Sequence, residues 1–447
     1  MKMIKKSTEI YYFIGIGGVG MSSLARFCFS NGHQVYGYDK VYSETTKNLT
    51  DLGIIITYDS SILALSKKLL SKEVKIIYTS AIKSNHPQLK FYHKQGNQIL
   101  KRAEFLSKIC ENKKTLAIAG THGKTTTTSI LTHIFSKTNQ SFTSFMGGFF
   151  RNESSNFVNT GLDNFIVEAD EYDRSFLKLN PTIACITSVD PDHLDIYDTK
   201  EAFIEAFKKF SKQVDDKLIV AFGLPISGIT YGIDVKADYV ARNLTLTERG
   251  YRFDLISPNQ IFKGVNFNQL GRHNVLNVLG AIAVANQSGI DIKKILPTLE
   301  NFPGIKRRMN VYSWRNSIII DDYAHHPKEI ESVLNTIRSF YPNKKNCVIF
   351  QPHLFSRTKD FMKEFCSVLG HFDEIVLLDI FPAREEAIEN VNAYNLLEGI
   401  KNDQKKLIEK KEIKSVLESS EAEVFTFLGA GDIGEEITKL KSELIIS

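Results

Sequence analysis

The chemistry this chain could do concentrates in Thr115-Leu-Ala-Ile-Ala-Gly120-Thr121-His122-Gly123-Lys124-Thr125-Thr126-Thr-Thr128. Residues 116–119 form an apolar run that reads as a buried strand, and residues 125–135 have helical spacing. Strand, glycine turn and Lys-Thr at a helix start together make a phosphate cradle. Backbone N–H groups and the helix N-terminus favour anionic oxygens there. Lys124 would reach the outer phosphates, and the Thr125 hydroxyl would sit on Mg²⁺. Ile118 stands where the first glycine of G-x-x-x-x-G-K-T belongs, so a plain glycine turn is the alternative.

Two acidic clusters close the apolar strands expected at residues 164–167 and 183–187. They are Glu168-Ala-Asp170-Glu171-Tyr-Asp173 and Asp190-Pro-Asp192-His193-Leu-Asp195. Open α/β sheets bind ligands at the C-terminal ends of their strands. Magnesium prefers carboxylate and water oxygens, so carboxylates facing a phosphate loop suggest a metal site. Glu168 is the first candidate ligand, and the His193 imidazole could complete a second site. Helix capping is the competing role for Asp190 and Asp192.

A second glycine turn, Gly15-Ile-Gly17-Gly18-Val-Gly20, fits G-x-G-x-x-G between a strand and a helix. Asp39 ends the next strand, where a ribose-binding carboxylate would stand. That pattern alone suggests NAD and an oxidoreductase. A dehydrogenase has no use for a magnesium-nucleotide cradle, however. Two phosphate sites suggest ATP in the middle of the chain and a nucleotide-linked substrate at its start.

Further polar clusters follow. Gly271-Arg-His273-Asn274-Val-Leu-Asn277 opens a helix, with Asn274 either an N-cap or, with Asn277, a nucleotide contact. Gly304-Ile-Lys-Arg-Arg308-Met is a basic turn, either a solvated loop or an arginine that reaches phosphate. Asp321-Asp322-Tyr323-Ala-His325-His-Pro327 ends a strand ahead of a helix, and Gln351-Pro-His353-Leu-Phe-Ser-Arg357 follows the next strand. Both are too dense in titratable groups for ordinary turns.

The elements that must position these residues alternate strand and helix, which means parallel sheets covered by helices. Polar residues 111–114 separate a first unit from a second, and a third begins near Val311. The expected class is therefore α/β. Residues 237–262 alternate apolar and polar, as in an antiparallel β section, and residues 405–414 read as a solvated helix face. A chain of 447 residues suffices for several full cores, and 43% hydrophobic with 24% charged residues is ordinary for a soluble protein. A net charge of +5 with no basic block argues against nucleic acid as a partner. Five scattered cysteines without a C-x-x-C pair suit reduced thiols and a cytoplasmic location. No apolar run approaches a membrane span, and the glycines of residues 11–20 break any signal-like core.

In this order, these clusters resemble the Mur ligase family. The residues that carry the likeness are Gly15 to Ser22, Gly120 to Thr126, Glu168 to Glu171, Asp192 to Asp195, Gly271 to Asn274, Lys306 to Arg308 and Asp322 to Pro327. The resemblance implies three domains. Residues 1–110 would be a Rossmann-like UDP-sugar domain, 111–310 a central P-loop ATPase-type domain, and 311–447 a Rossmann-like domain for the amino acid. It implies ATP-dependent formation of an amide on UDP-N-acetylmuramate, with Mg²⁺ as cofactor. Gly18 and Val19 favour the branch that adds L-alanine, although Tyr172 is shared with the sister branch that recycles murein tripeptide.

By position, the resemblance assigns Gly15, Gly17, Gly18, Gly20, Met21, Ser22, Asp39, Ser80 and Arg102 to the UDP-sugar. It assigns Gly120, Thr121, His122, Gly123, Lys124, Thr125, Thr126, His273, Asn274, Asn277 and Arg308 to ATP. Thr125, Glu168 and His193 would hold metal. Tyr323, His353 and Arg357 would face the amino acid, with Lys124, Glu168, His193, Asp322 and His325 catalytic. Leu354 departs from the basic residue of relatives at that place. Lys208 or Lys209 could carry the carbamate that several sister ligases use. Monomer and homodimer are both open. The rivals are a related tripeptide or folate ligase, an NAD-dependent oxidoreductase, and a non-catalytic nucleotide-binding regulator.

Overall fold

The computed structural model of the protein describes residues 8–190, 194–197, 199–383, 385–440 and 445–446. The first sheet contains β1 (Ile10–Ile14), β2 (Gln34–Tyr38), β3 (Ile55–Thr57), β4 (Lys75–Tyr78) and β5 (Ile99–Lys101). Its order is β3-β2-β1-β4-β5, with every pairing parallel. Tyr12, Phe13 and Ile14 are all fully buried, because a parallel sheet covered on both faces needs continuous apolar runs. The order reverses at β1. The glycine turn after β1 therefore opens at the switch point where such sheets take ligands.

The central sheet holds β6 (Lys114–Ala119), β7 (Phe142–Phe145), β8 (Phe157–Asn159), β9 (Asn164–Ala169), β10 (Ile183–Ile186), β11 (Lys217–Ala221), β12 (Ile229–Ile233), β13 (Tyr239–Thr247), β14 (Gly250–Ile256) and β15 (Ile261–Phe267). Its order is β15-β14-β13-β12-β11-β10-β6-β9-β7-β8. β6 lies between β10 and β9, parallel to both, so the loops after all three strands open together. Rings join this sheet to the helix Val19–Ser30 of the first sheet. Phe27 lies 5.6 Å from Phe145, 6.3 Å from Phe157 and 6.2 Å from Phe165. One apolar core thus runs from Phe13 and Met21 through Phe165 to Phe207 and Phe210.

The third sheet contains β16 (Asn310–Trp314), β17 (Ser317–Asp322), β18 (Asn346–Phe350), β19 (Glu374–Leu377), β20 (Lys405–Leu407), β21 (Val424–Leu428) and β22 (Ile445–Ile446). Its order is β20-β19-β18-β21-β17-β16-β22. The pairings of β16 are antiparallel and the rest are parallel. Its two faces carry separate cores, one around Phe350 and Phe365 and one around Phe425 and Phe427.

The described residues form two compact units. The first runs to Leu244 and adds Phe253–Asn266 and Leu276–Pro303. The second comprises Thr245–Arg252, Phe267–Val275 and the chain from Gly304 onward. Residues 405–414 correct the sequence expectation of a helix. They form the edge strand β20 and a short 3₁₀ turn, Lys410–Glu412. The backbone of β20 pairs in parallel with β19, and the Lys405 ammonium donates to the carbonyls of Leu397 (2.9 Å) and Ile400 (2.8 Å) at the end of the helix Ala393–Gly399. All five cysteines are free thiols, four of them buried. Among the described residues, no helix is long and apolar enough to cross a membrane.

Candidate active site

The loop after β6 is shaped by two glycines that no other residue could replace. Gly120 has φ +133°, and a Cβ there would lie 2.1 Å from Thr187 Oγ1. Gly123 has φ +83°, and its Cβ would lie 2.4 Å from Asn277 Oδ1. The helix Lys124–Lys137 starts directly after it. The loop is tied to the end of β10. His122 N donates to Ser188 Oγ (2.8 Å), and Thr121 Oγ1 donates to the Asp190 carbonyl (2.7 Å). Asn277 thus lies against the loop, and its Oδ1 also accepts from Thr127 Oγ1 at 3.4 Å. Thr126 is buried in the first turn of the helix.

Lys124 and Thr125 each meet one carboxylate of the β9 end. Lys124 Nζ donates to Glu171 Oε2 at 2.6 Å, as well as to the Gly120 carbonyl at 2.6 Å. Burial works against the charge on Lys124. Glu171, Asp170 and Glu168 overcome it and hold the ammonium above its usual range. Burial also pushes Glu171 up to about 7, against the pull of Lys124. Thr125 Oγ1 donates to Glu168 Oε1 at 2.7 Å, and the Gly147 amide donates to the other oxygen of that carboxylate. Desolvation raises Glu168, and the Thr125 bond and Lys124 oppose it.

Glu171 and Gly147 are the residues that sequence reasoning missed here. Glu171 lies in the acidic run, but spacing does not say which of four carboxylates meets the lysine. The Gly147-Gly148 pair was the available sign of a close approach, because a Cβ on Gly147 would lie 2.1 Å from Glu168 Oε2. His193 and Asp192 lie outside the described residues. Among the described residues, no three His, Cys, Asp or Glu side chains converge as a metal cluster.

The first glycine turn has its own bracing. Gly15 N donates to the Tyr38 carbonyl (2.8 Å), and Gly17 N to Asp39 Oδ2 (2.7 Å). The Asp39 carboxylate therefore holds the turn's backbone, accepting also from Val41 N at 3.2 Å. Gly18 precedes the helix Val19–Ser30, and a Cβ there would make ordinary contacts, 3.6 Å from the Gly15 carbonyl and 3.8 Å from the Met21 side chain. Met21 and Ser22 turn inward: Met21 is 1% exposed, and Ser22 Oγ donates to the Val19 carbonyl at 2.8 Å. Both are packing residues of the helix start, because its first turn must bury one face. Ser80 is exposed just after β4. The Arg102 guanidinium packs over Gly20, 3.0 Å from where a Cβ would be, and meets Asp170 Oδ2 at 3.4 Å. Arg102 thereby touches both the first glycine turn and the acidic end of β9.

In the second unit, Asp322 is 5% exposed, and both its oxygens are occupied by backbone amides, Met309 N at 2.7 Å and Ala324 N at 2.8 Å. Burial raises its carboxyl, with Arg308 pulling the other way. Asp322 therefore braces the basic turn. Burial, reinforced by Arg308, pushes His273 down to about 4. Asn274, in the first turn of its helix, is tied to the preceding segment, with Nδ2 donating to the Leu270 carbonyl at 2.7 Å. His325, Tyr323 and His353 share one edge. The His325 ring lies 5.4 Å from Tyr323 and 5.9 Å from His353, and His353 stacks on Phe381. His325 Nδ1 lies 2.9 Å from the Tyr323 carbonyl, which assigns its proton to Nδ1 and leaves Nε2 the basic nitrogen. Burial pushes this ring down to about 3, so it is neutral at pH 7. Arg357 is buried in the helix that follows, and Leu354 takes the left-handed φ of +71° between them.

Comparison with known proteins agrees with this arrangement. Residues 10–114 match the model of the Mur ligase family catalytic domain, 118–285 the Mur ligase middle domain, and 307–431 the Mur ligase glutamate ligase domain. The chain is 44% identical over 440 residues to the UDP-N-acetylmuramate–L-alanine ligase of Christiangramia forsetii, covering 97% of each chain. It is 44% identical over 436 residues to that of Flavobacterium psychrophilum, again with 97% of each covered. A crystal structure of UDP-N-acetylmuramate-alanine ligase from Thermotoga maritima superposes with a TM-score of 0.82 at 29% identity, over 97% of this chain and 98% of that one. With the three domain models in order along its length and relatives of this identity, the chain belongs to the Mur ligase family.

Proposed function

We propose that this protein uses ATP to join L-alanine to the lactyl carboxylate of UDP-N-acetylmuramate, in peptidoglycan precursor synthesis. The observation that carries the reading is 44% identity, over 97% of both chains, to enzymes named for that reaction. The buried cluster of Lys124, Thr125 and Glu168 supports the ATP half of the chemistry.

A carboxylate does not acylate an amine by itself, because its leaving group is poor. Here one of its oxygens would attack the γ-phosphorus of ATP. The bond to the β,γ-bridging oxygen breaks, ADP departs, and an acyl phosphate remains. Positioning and charge neutralisation carry such a step, and Lys124 supplies a buried ammonium for it. The nitrogen of alanine then attacks the acyl carbon, inorganic phosphate leaves with the C–O electrons, and the nitrogen loses a proton. His325, on the edge with Tyr323, His353 and Arg357, is proposed to face the alanine; a ring pushed down to about 3 is too weak a base to hold that proton, which passes on to solvent. The turn after β1, with Arg102 and Ser80 beside it, is the proposed diphosphate site.

Mg²⁺ fits the pair formed by Thr125 and Glu168. The Thr125 hydroxyl and the Glu168 carboxylate, two oxygen donors brought together at the loop, are the residues that would hold it. When bound there, the ion would neutralise charge on the phosphates. Gly147→Ala should test this pair without touching either ligand, since the new Cβ would push the Glu168 carboxylate away from Thr125. The Mg²⁺ concentration giving half-maximal rate should rise about tenfold, the usual size of an effect on a group that orients a metal ligand. An unchanged requirement would remove Glu168 from the metal.

The reaction itself is tested by phosphate release from Mg-ATP and UDP-N-acetylmuramate with L-alanine, L-serine, glycine or murein tripeptide added singly. L-Alanine should give the fastest release. Release with tripeptide but not L-alanine would move the protein to the recycling branch.

A further inference from the structure

An ammonium group has three N–H donors, and those of Lys124 have three acceptors within the loop region. Two are loop carbonyls, Gly120 O at 2.6 Å and Thr121 O at 3.3 Å. The third is Glu171 Oε2 at 2.6 Å, on a side chain only 2% exposed. A carboxylate oxygen of the chain itself thus sits on the one atom that outer phosphates require.

The turn carrying Glu171 is pinned independently of the lysine. Tyr197 Oη donates to the Glu171 carbonyl at 2.6 Å, and the Arg174 guanidinium lies 5.0 Å over the Tyr197 ring. Phe176 N donates to the Asp170 carbonyl at 2.8 Å. Asp173 and Arg174 both take left-handed φ values, 54° and 53°. Two such non-glycine residues in succession persist only where the surroundings over-determine them. The loop glycines offer no comparable reason for a buried acid at this place.

We propose that Glu171 is a positioning residue for Lys124: before nucleotide binds, its carboxylate occupies the lysine in place of the outer phosphate and keeps the ammonium aimed into the loop, and it yields that place when the triphosphate arrives. This rests on the reading of the loop as an ATP site. Two consequences follow. The carboxylate repels the incoming γ-phosphate, so removing its charge tightens binding. The lysine also loses the ionic partner that fixes its direction, so turnover falls.

Glu171→Gln keeps the shape and an acceptor oxygen but drops the charge. Titrated calorimetrically with Mg-ATP alone, the full-length variant should bind about fivefold more tightly than wild type, while its kcat falls about tenfold. Its affinity for Mg-ADP, which lacks the outer phosphoryl group, should change less. A residue that only supported the turn would weaken binding and turnover together. Should Glu171→Gln fail to fold, Glu171→Asp serves, because withdrawing the carboxylate by one methylene should shift Mg-ATP affinity in the same direction by a smaller factor. A wild-type protein that takes up no Mg-ATP would sink the ATP reading itself. A wild type that binds it, with a folded Glu171 variant that binds no more tightly, would overturn the positioning role alone.

Discussion

Lys124→Ala is expected to lower turnover by 10²-fold or more, on the order of what one preorganised charge-stabilising donor contributes to a transition state. The ammonium is already desolvated and aimed into the loop, so once phosphate has taken the place of Glu171 little further reorganisation is needed when charge spreads over the transferring phosphoryl group. Lys124→Arg should not rescue it. A planar guanidinium cannot place three converging donors on Gly120 O, Thr121 O and Glu171, and it is longer. The alanine variant also leaves Glu171 buried without its cation, and breaking a buried pair from one side costs roughly 3–5 kcal/mol. A loss of rate could then be mistaken for a loss of fold. The double variant Lys124→Ala, Glu171→Gln separates the two, since it should melt nearer to wild type than Lys124→Ala does while remaining as slow. Near-normal turnover in either lysine variant would remove the phosphate-loop assignment.

Much of this loop was legible in sequence because it depends on local rules. A strand must end, a glycine must take positive φ, and a helix must begin. Residues 115–128 contain all three signals in order, and the structure places each within a residue or two. The same holds for β1, β2 and β18, whose bounds at Ile10–Ile14, Gln34–Tyr38 and Asn346–Phe350 follow from mainly apolar runs. What was not legible depends on partners distant in the chain. Glu171 is 47 residues from Lys124, and nothing in Glu168-Ala-Asp170-Glu171 distinguishes the acid that meets Thr125 from the one that meets the lysine. Asp39 sits where a ribose carboxylate is expected, but its oxygens are taken by amides of the chain itself. Met21 and Ser22 continue a binding motif in sequence while their side chains turn into the core. At residues 405–414, charge density suggested a solvated helix. A sheet edge tolerates lysines equally well, and the pairing of residues 405–407 with β19, a partner some thirty residues away, decides between the two.

Mild acid should destabilise this protein through the second unit, and two buried histidines set the window. His273 titrates near 4 and His325 near 3 in the folded chain, against an ordinary value of 6.5. Burial is the first cause for both. Arg308 adds to it at His273, while Glu329 opposes it at both rings. The unfolded chain therefore binds more protons than the folded one between pH 6.5 and 4, so stability falls as pH falls through that range. The gap from 6.5 to 4 corresponds to roughly 3 kcal/mol for His273 alone. Asp322 acts in the opposite sense: its folded carboxyl is raised, so it binds a proton earlier on acidification than the unfolded chain does and offsets part of the loss. Glu168 and Glu171 of the first unit, both raised, also act in that opposite sense, so the test is differential: His273→Gln should lose less urea stability than wild type between pH 7 and 4, by removing one titrating ring. An identical slope in wild type and variant would mean that the His273 ring is protonated in the folded chain, with water or a counter-charge reaching it.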